Sequence, residues 1–183
     1  MRSLSYESGP IWAGTVPLGD TYILGRLIRR SGMSEIFEAT HARLPGRFAV
    51  KILAPQLVGN REAFARFCRE AEILSELRHP NVVQIFDFNT SPDERPYFVM
   101  EYLEGRTLET RLADSEPLTV PATVRVVAAA ASALAAAHAH GIVHRDLSPA
   151  NIFLVAIDGQ PDELIKVLDF GVSKARGTKT LLS

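Results

Sequence analysis

The apolar positions of the first half of the chain follow the pattern of strands. Residues 22–28, 35–42 and 48–53 are short runs rich in β-branched and aromatic side chains, with turn-forming residues between them. Runs of this kind predict an antiparallel meander. Two more runs, 82–88 and 97–102, flank a segment rich in Pro, Asp and Ser, which predicts a turn between two further strands.

Two other segments have the period of helices. Between residues 61 and 77 the apolar side chains recur every three or four positions, which predicts one helix. The alanine-rich stretch 124–140 predicts a second helix, with Thr119 as its N-cap and Gly141 at its end. It contains Arg125 and is shorter than the ~20 strongly apolar residues of a membrane span. We therefore expect a buried helix and no membrane segment.

The balance of strand and helix changes near residue 104 and predicts the domain organisation. Residues 1–20 read as a flexible N-terminal extension, residues 21–103 as a sheet with one helix, and residues 104–183 as a mainly helical part. The expected fold class is α+β, with two lobes and a cleft between them.

Composition limits the possible partners and the compartment. The chain has 183 residues, and its 20 basic and 21 acidic side chains give a net charge of -1. No overall field would attract nucleic acid, so any partner must be recognised locally. Cys68 is the only cysteine, and the first twenty residues do not resemble a signal peptide. A cytoplasmic location is expected.

Residues 142–155, IVHRDLSPANIFLV, place polar side chains between two apolar runs. The apolar runs 152–157 (IFLVAI) and 164–168 (LIKVL) predict an antiparallel hairpin with its turn centre near residue 160. In that register Asn151 faces Asp169, and their oxygens suit a hard cation such as Mg²⁺. Asp146 lies five residues before Asn151 and would line the same pocket.

These residues resemble the protein kinase family. HRDLSPAN, followed by DFG at 169–171, is similar to the catalytic loop and metal-binding motif of that family. AVK at 49–51, REAEIL at 69–74, HPNVV at 79–83 and VMEY at 99–102 occur in the family's order. The resemblance runs from about residue 22 to residue 183 and is greatest to bacterial serine/threonine kinases. It implies the bilobal kinase fold, with an antiparallel sheet and one helix in the N-lobe and an incomplete, mainly helical C-lobe.

The resemblance also implies a role for each matched residue. Lys51 would hold the α- and β-phosphates of ATP and pair with Glu70, and Asp146 would accept the proton of the attacking hydroxyl. Asn151 and Asp169 would hold Mg²⁺. The implied nucleotide-binding residues, in addition to Lys51, are Ile28, Ile36, Ala49, Met100, Glu101, Leu103 and Phe153. His144 is interpreted as a packed structural residue.

Three departures from the family pattern bear on activity. The G-x-G-x-x-G positions that cover the phosphates hold Arg29, Ser31 and Ser34, so we expect a weakened or reshaped phosphate loop. Arg29 and Arg30 would either add charge to the triphosphate or point to water. Ser148 replaces the lysine that neutralises the transferred phosphoryl group. The sequence ends a dozen residues after DFG, so the expected C-lobe is partial.

Two functions from different classes are compatible with these residues. The first is a serine/threonine protein kinase that transfers the γ-phosphoryl group of Mg-ATP to a protein hydroxyl, present here as part of its catalytic domain. The second is a non-catalytic, pseudokinase-like nucleotide-binding or interaction module that self-associates through apolar surface on the alanine-rich helix. The HPN and VMEY segments argue against a third interpretation, a small-molecule phosphotransferase with a related fold.

Overall fold

The structure is a computed structural model, and it describes residues 16–114, 117–157, 159 and 163–170. The described residues fall into two compact units. The first contains the chain up to Gly59 together with Asp87–Tyr102, and the second contains Asn60–Phe86 and the chain from Leu103 onward. Residues 1–15 of the predicted N-terminal extension, and Gly171 of the DFG motif, lie outside the described residues. The prediction of a flexible extension is wrong for Val16–Leu18, which form a strand paired with residues 22–24.

A six-stranded sheet in the order β1-β2-β3-β4-β6-β5 is the main element of the first unit. The first four strands form a meander, and β6 pairs antiparallel with β4. The strands are β1 (Val16–Leu18), β2 (Tyr22–Arg30), β3 (Ser34–His41), β4 (Arg47–Leu53), β5 (Ile85–Thr90) and β6 (Pro96–Glu101).

One face of this sheet carries an apolar core. Side chains alternate between the two faces of a strand, and directly paired residues share a face. Phe37 on β3, Val50 on β4 and Val99 on β6 are consecutive cross-strand partners and are fully buried. The cluster around them consists of Leu18, Tyr22, Leu24, Phe37, Ala39, Val50, Ile52, Tyr97 and Val99.

The second unit combines three helices with a small antiparallel sheet. The helices are α1 (Arg61–Glu76), α2 (Leu108–Ala113) and α3 (Val120–Ala139), and the strands are β7 (Gly105–Thr107), β8 (Ile152–Val155) and β9 (Leu164–Val167). The starts of all three helices have side-chain caps that satisfy otherwise unpaired amides, and Thr107 caps α2 by accepting from the Thr110 amide. Asn60 accepts hydrogen bonds from the amides of Glu62 and Ala63, and Thr119 accepts one from Ala122.

Helix α3 is buried on one face only. Its buried side chains, Val126, Ala130, Ala133 and Ala137, follow a three- to four-residue spacing, and the helix contacts β9. Val120, Val124 and Val127 are exposed. By length and composition alone α3 is apolar enough to cross a membrane, but one such helix is only weak evidence of a membrane span. The prediction of a buried helix is therefore wrong for the face of α3 that carries Val120, Val124 and Val127.

Most predicted strands and helices agree with the structure to within two residues at each end. The prediction for residues 82–88 is wrong at its start, because β5 begins at Ile85. Val82 instead forms an isolated parallel bridge with Val167. Its apolar character reflects this burial and not membership of β5.

Candidate functional site

The register of the first sheet places Lys51 on the face opposite the apolar core. Ile36, Lys51 and Phe98 are successive cross-strand partners on β3, β4 and β6, so they share that face. Ala49 and its partner Met100 lie on it too, two residues away along the strands. Four of the residues predicted to bind nucleotide are thus brought together within this unit. Lys51 is buried, with its ammonium 5.7 Å from the centre of the Phe98 ring.

The turn between β2 and β3 is closed by a serine side chain. The Ser31 amide donates to the Ser34 carbonyl at 2.8 Å. The Ser31 hydroxyl oxygen in turn accepts the amide hydrogens of Ser34, at 3.0 Å, and Met33, at 3.3 Å. Neither Ser31 nor Ser34 has a positive φ. The backbone therefore does not require glycine at these two positions, and the serine hydroxyl bonds the amides of the turn.

A buried ion pair supports the β2–β3 turn from the core face of the sheet. Glu35, cross-strand from Ile52, pairs with Arg30 at 2.8 Å and with Arg95 at 3.3 Å. Arg95 is 1% exposed, and it also donates to Asp93 at 2.7 Å. A charge at this depth is tolerated only when it is paired and hydrogen-bonded. This pair was not predicted from the sequence, although a carboxylate inside an otherwise buried strand signals a need for a partner.

A second charged network holds Tyr102, next to Glu101 of the predicted adenine-binding segment. Glu38 accepts hydrogen bonds from Arg26 and Arg47, each at 2.9 Å. Arg26 also donates to the Tyr102 hydroxyl at 3.1 Å, and the Arg47 guanidinium lies 3.9 Å from the centre of the Tyr102 ring. The hydrogen bond from Arg47, helped by that from Arg26, lowers the pKa of Glu38 despite partial desolvation.

In the second unit, residues 142–151 form a tightly constrained loop. Arg145 has a φ of 61°, a left-handed conformation that few non-glycine residues adopt. His144, before it, is buried and packs against Phe170 with ring centres 4.8 Å apart, as predicted. Burial lowers the pKa of His144, which favours the neutral ring. Asp146, after it, is half-buried. The strained residue thus separates a buried anchor from the predicted catalytic carboxylate.

Asn151 holds Asp146 and leaves its own oxygen for a ligand. It lies at the end of a 3-10 turn, Pro149–Asn151, and its Nδ2 donates to the Asp146 backbone carbonyl at 3.0 Å. The amide side chain has one donor end and one acceptor end, so Oδ1 is the atom available to a metal. Oxygen from an amide and a carboxylate is the chemistry that Mg²⁺ prefers. Asn151 and Asp169 therefore fit the predicted cation in donor type.

The predicted pairing of Asn151 with Asp169 is wrong by one residue. The β8–β9 hairpin pairs Ile152 with Val167, and the Leu168 amide donates to the Asn151 carbonyl at 2.8 Å. Asn151 therefore lies opposite Leu168, and Asp169 follows it. The assumed turn centre at residue 160 caused the error. Among the described residues, no group of three or more His, Cys, Asp or Glu side chains is arranged to hold a metal ion.

Strand β9, which leads to Asp169, is fixed by the segment that follows α1. Asn81 donates to the Ile165 carbonyl at 2.7 Å and accepts from the Val167 amide at 2.8 Å. Lys166 is buried and donates to the Val82 carbonyl at 3.3 Å. These hydrogen bonds join two segments that lie about 84 residues apart in sequence. The end of β9, from which Asp169 follows, is therefore held on two sides, by β8 and by the segment that follows α1.

The remaining predicted residues are distributed between the two units. Ile28 lies at a register irregularity of β2 and is 44% exposed. Glu101 ends β6 in the first unit, whereas Glu70, Leu103 and Phe153 belong to the second unit. The pairing of Lys51 with Glu70 and the shared adenine pocket remain predictions.

Comparison with known proteins assigns the family. The sequence model of the protein kinase domain matches residues 22–182. Serine/threonine-protein kinase Pkn1 of Myxococcus xanthus is 42% identical over 154 residues, which are 84% of this chain and 22% of that protein. PknB of Mycobacterium leprae is 37% identical over 166 residues, which are 89% of this chain and 26% of that protein. The chain thus spans about a quarter of the length of these curated relatives.

A solved structure supports the same assignment. The kinase domain of Mycobacterium tuberculosis PknI superposes with a TM-score of 0.73 at 30% sequence identity, and the match covers 88% of this chain and 62% of that domain. The predicted kinase-like α+β fold is confirmed by this similarity. On the match to residues 22–182 and the identity to serine/threonine kinases, the chain belongs to the protein kinase domain family.

Proposed function

We propose that this chain carries the nucleotide-binding sheet and catalytic loop of a serine/threonine protein kinase that transfers the γ-phosphoryl group of Mg-ATP to a protein hydroxyl. The observation that carries the proposal is the hydrogen bond from Asn151 to the Asp146 backbone, with Asp169 next to the residue that Asn151 faces. This arrangement supports the proposal because it brings Asn151 to the Asp146 backbone and leaves Asp169 one residue beyond Leu168, which lies opposite Asn151.

Each residue has a distinct task in the proposed reaction. Asp146 orients the acceptor hydroxyl and takes its proton as the oxygen attacks the γ-phosphorus atom. Lys51 holds the α- and β-phosphates, and the bond from the γ-phosphorus to the bridging oxygen breaks, which leaves ADP. Bound Mg²⁺ supplies positive charge, and Asn151 and Asp169 would hold it. The protein contributes mainly positioning and charge neutralisation.

Ser148 makes the proposed reaction depend more strongly on the remaining cations. A serine offers no positive charge to the transferred phosphoryl group, whereas a lysine at this position would. Loss of one such interaction typically costs roughly 2 to 4 kcal/mol in the transition state. We therefore expect slow turnover relative to relatives that keep the lysine.

A nucleotide-binding or interaction module without catalytic activity is the second candidate. The closed Ser31 turn and the exposed Val120, Val124 and Val127 on α3 favour it. It predicts no phosphotransfer and self-association through α3, which sedimentation at increasing protein concentration would detect.

Thermal unfolding with and without Mg-ATP tests the binding part of the proposal. We expect Mg-ATP to raise the melting temperature, and Lys51→Ala and Asp169→Asn each to abolish the rise, because ligand binding stabilises only the folded state. Asp20→Asn, an exposed carboxylate in the same chain, is the matched control and should keep the rise.

Phosphotransfer by the full-length protein tests the chemical part. Asp146→Ala should abolish transfer to a protein substrate while the Mg-ATP-dependent rise in melting temperature persists. Unchanged transfer in that variant would contradict the proposed role of Asp146. Nucleotide binding without any transfer by the unaltered protein would instead support the second candidate.

A further inference from the structure

Two successive arginines at the end of β2 lie on opposite faces of the sheet. Arg30 pairs with Glu35 in the register, and their side chains form an ion pair at 2.8 Å on the core face. Arg29 pairs with Ile36, whose side chain lies on the other face. Because neighbouring residues of a strand point to opposite sides, the Arg30 contact places Arg29 on the face of Ile36.

The face that holds Arg29 is also the face of Lys51. Ile36 stands between them, as the cross-strand partner of both. Strands in a sheet are about 4.8 Å apart, so the backbones of Arg29 and Lys51 are separated by roughly 10 Å. Two long basic side chains at this spacing can reach the same polyphosphate. Arg29 is exposed, and no described residue forms a hydrogen bond or ion pair with its guanidinium.

The amides of the neighbouring turn already have an internal partner. In glycine-rich phosphate loops the backbone amides of the turn bind phosphate oxygens. Here the amides of Met33 and Ser34 donate to the Ser31 hydroxyl. Phosphate oxygens that approach this turn would compete with that hydroxyl, so another donor is needed.

We propose that Arg29 binds the phosphates of the nucleotide, from the face it shares with Lys51, and takes over the role that the turn amides have in a glycine-rich loop. This inference rests on the proposed function and assigns a phosphate-binding residue to it. A guanidinium suits the task because its fork of donors matches two phosphate oxygens at once. Arg30 has a different role, since Glu35 holds it on the core face.

Calorimetric titration of the full chain with Mg-ATP and, separately, with adenosine tests this assignment. Arg29→Ala should weaken Mg-ATP binding by about tenfold, the usual effect of one charge-assisted hydrogen bond, and leave adenosine binding unchanged. Arg29→Lys should restore part of the loss. Arg30→Ala is the matched control: it removes the same charge from the other face and should change neither affinity more than about twofold.

The outcomes separate this inference from the proposed function. Equal losses in Arg29→Ala and Arg30→Ala would show a general charge effect and overturn the assignment. A loss of adenosine binding in Arg29→Ala would overturn it too, because the effect would not concern phosphate. If Lys51→Ala abolishes Mg-ATP binding and Arg29→Ala does not weaken it, only the Arg29 assignment fails. If the unaltered chain binds no Mg-ATP, the proposed function fails together with it.

Discussion

The β2–β3 turn and the loop of residues 142–151 hold their backbones in different ways. In the turn, a side chain, that of Ser31, bonds two backbone amides, and no residue in it adopts a left-handed φ. In the loop, Arg145 is left-handed and the Asn151 side chain bonds a backbone carbonyl. The turn has lost the family's glycines, whereas the loop keeps the family's Asp and Asn.

This difference follows from what each segment contributes to the proposed reaction. A phosphate-covering turn acts through backbone donors, which a side chain elsewhere on the sheet can replace. The loop acts through a carboxylate and an amide oxygen, which no backbone group replaces at the same position. Substitutions should therefore be tolerated better in the turn than in the loop.

The strongest test of this contrast is Asn151→Ala. It removes both the hydrogen bond to the Asp146 carbonyl and a proposed Mg²⁺ ligand, so we expect phosphotransfer by the full-length protein to fall by about a thousandfold. Ser31→Ala, which removes the hydrogen bonds of the Ser31 hydroxyl to the Met33 and Ser34 amides and keeps the backbone bond across the turn, should lower it by less than about tenfold. Asn151→Asp retains an oxygen ligand and should lie between them. Similar losses in the loop and turn variants would refute the contrast.

The core side of the turn is tested by Arg95→Met. Methionine fills similar space but leaves the buried Glu35 with the half-exposed Arg30 as its remaining ion-pair partner among the described residues. Breaking a buried ion pair costs about 3 kcal/mol or more, and urea unfolding should show this loss in the free energy of unfolding. Arg43→Met removes the same charge from an exposed position and should change it little. A small effect at Arg95 would mean that Asp93 and Glu35 adjust to its loss.

A pair of glycines compares backbone constraints in the two units. Gly105 in β7 has a φ of 143°, and a Cβ there would overlap the Leu154 carbonyl oxygen of β8, so Gly105→Ala should cost about 2 kcal/mol or more. Gly32 in the turn lacks a left-handed φ, and a Cβ added to it would have no described atom within 4 Å. Gly32→Ala should therefore change the free energy of unfolding by less than about 0.5 kcal/mol. Equal costs would contradict the difference in constraint.

The smallest expected effect concerns Glu38 and depends on pH. Its pKa is lowered in the folded state, so its contribution to stability is present above the ordinary value of 4.5 and is lost as the pH falls through the lowered value. Glu38→Gln should lower stability by less than about 1 kcal/mol at pH 7, because the pairs are partly exposed. Thermal unfolding of both proteins from pH 7 to pH 3 should show their melting temperatures converge. A constant difference would indicate lost packing and not lost charge.

Local pattern was sufficient to predict strands β2, β3, β4 and β6 and helices α1 and α3, but it missed β1 and placed the start of β5 three residues too early. Each is defined by residues that are close in sequence, such as the cap Thr119 and the apolar face of α3. The resemblance gave Asp146 a catalytic role and Asn151 and Asp169 metal-binding roles, and these roles stay predictions. The structure shows a hydrogen bond from the Asn151 side chain to the Asp146 backbone.

The wrong register of the β8–β9 hairpin and the missed contact of Glu35 with Arg95 both involve residues far apart in sequence. A local pattern of apolar and polar positions does not show which distant residues meet. The β8–β9 register depends on the length of its turn, and an error of one residue moves a side chain to the other face. The contact between Glu35 and Arg95 spans 60 residues. The bond of Ser31 to its own turn was within reach of local reasoning, because serine side chains often bond amides two or three residues further on.

The hydrogen bonds between β9 and the segment after α1 have a consequence for exchange of amide protons with deuterated solvent. The Val167 amide donates to Asn81, the Val83 amide donates to Val167, and the carbonyl and amide groups involved lie among buried side chains. Such amides exchange only when their unit opens cooperatively, whereas exposed turn amides exchange through local fluctuations. Val83 and Val167 should therefore be among the last protons to exchange, and their rates would report the opening free energy of the unit that carries Asp146 and Asp169.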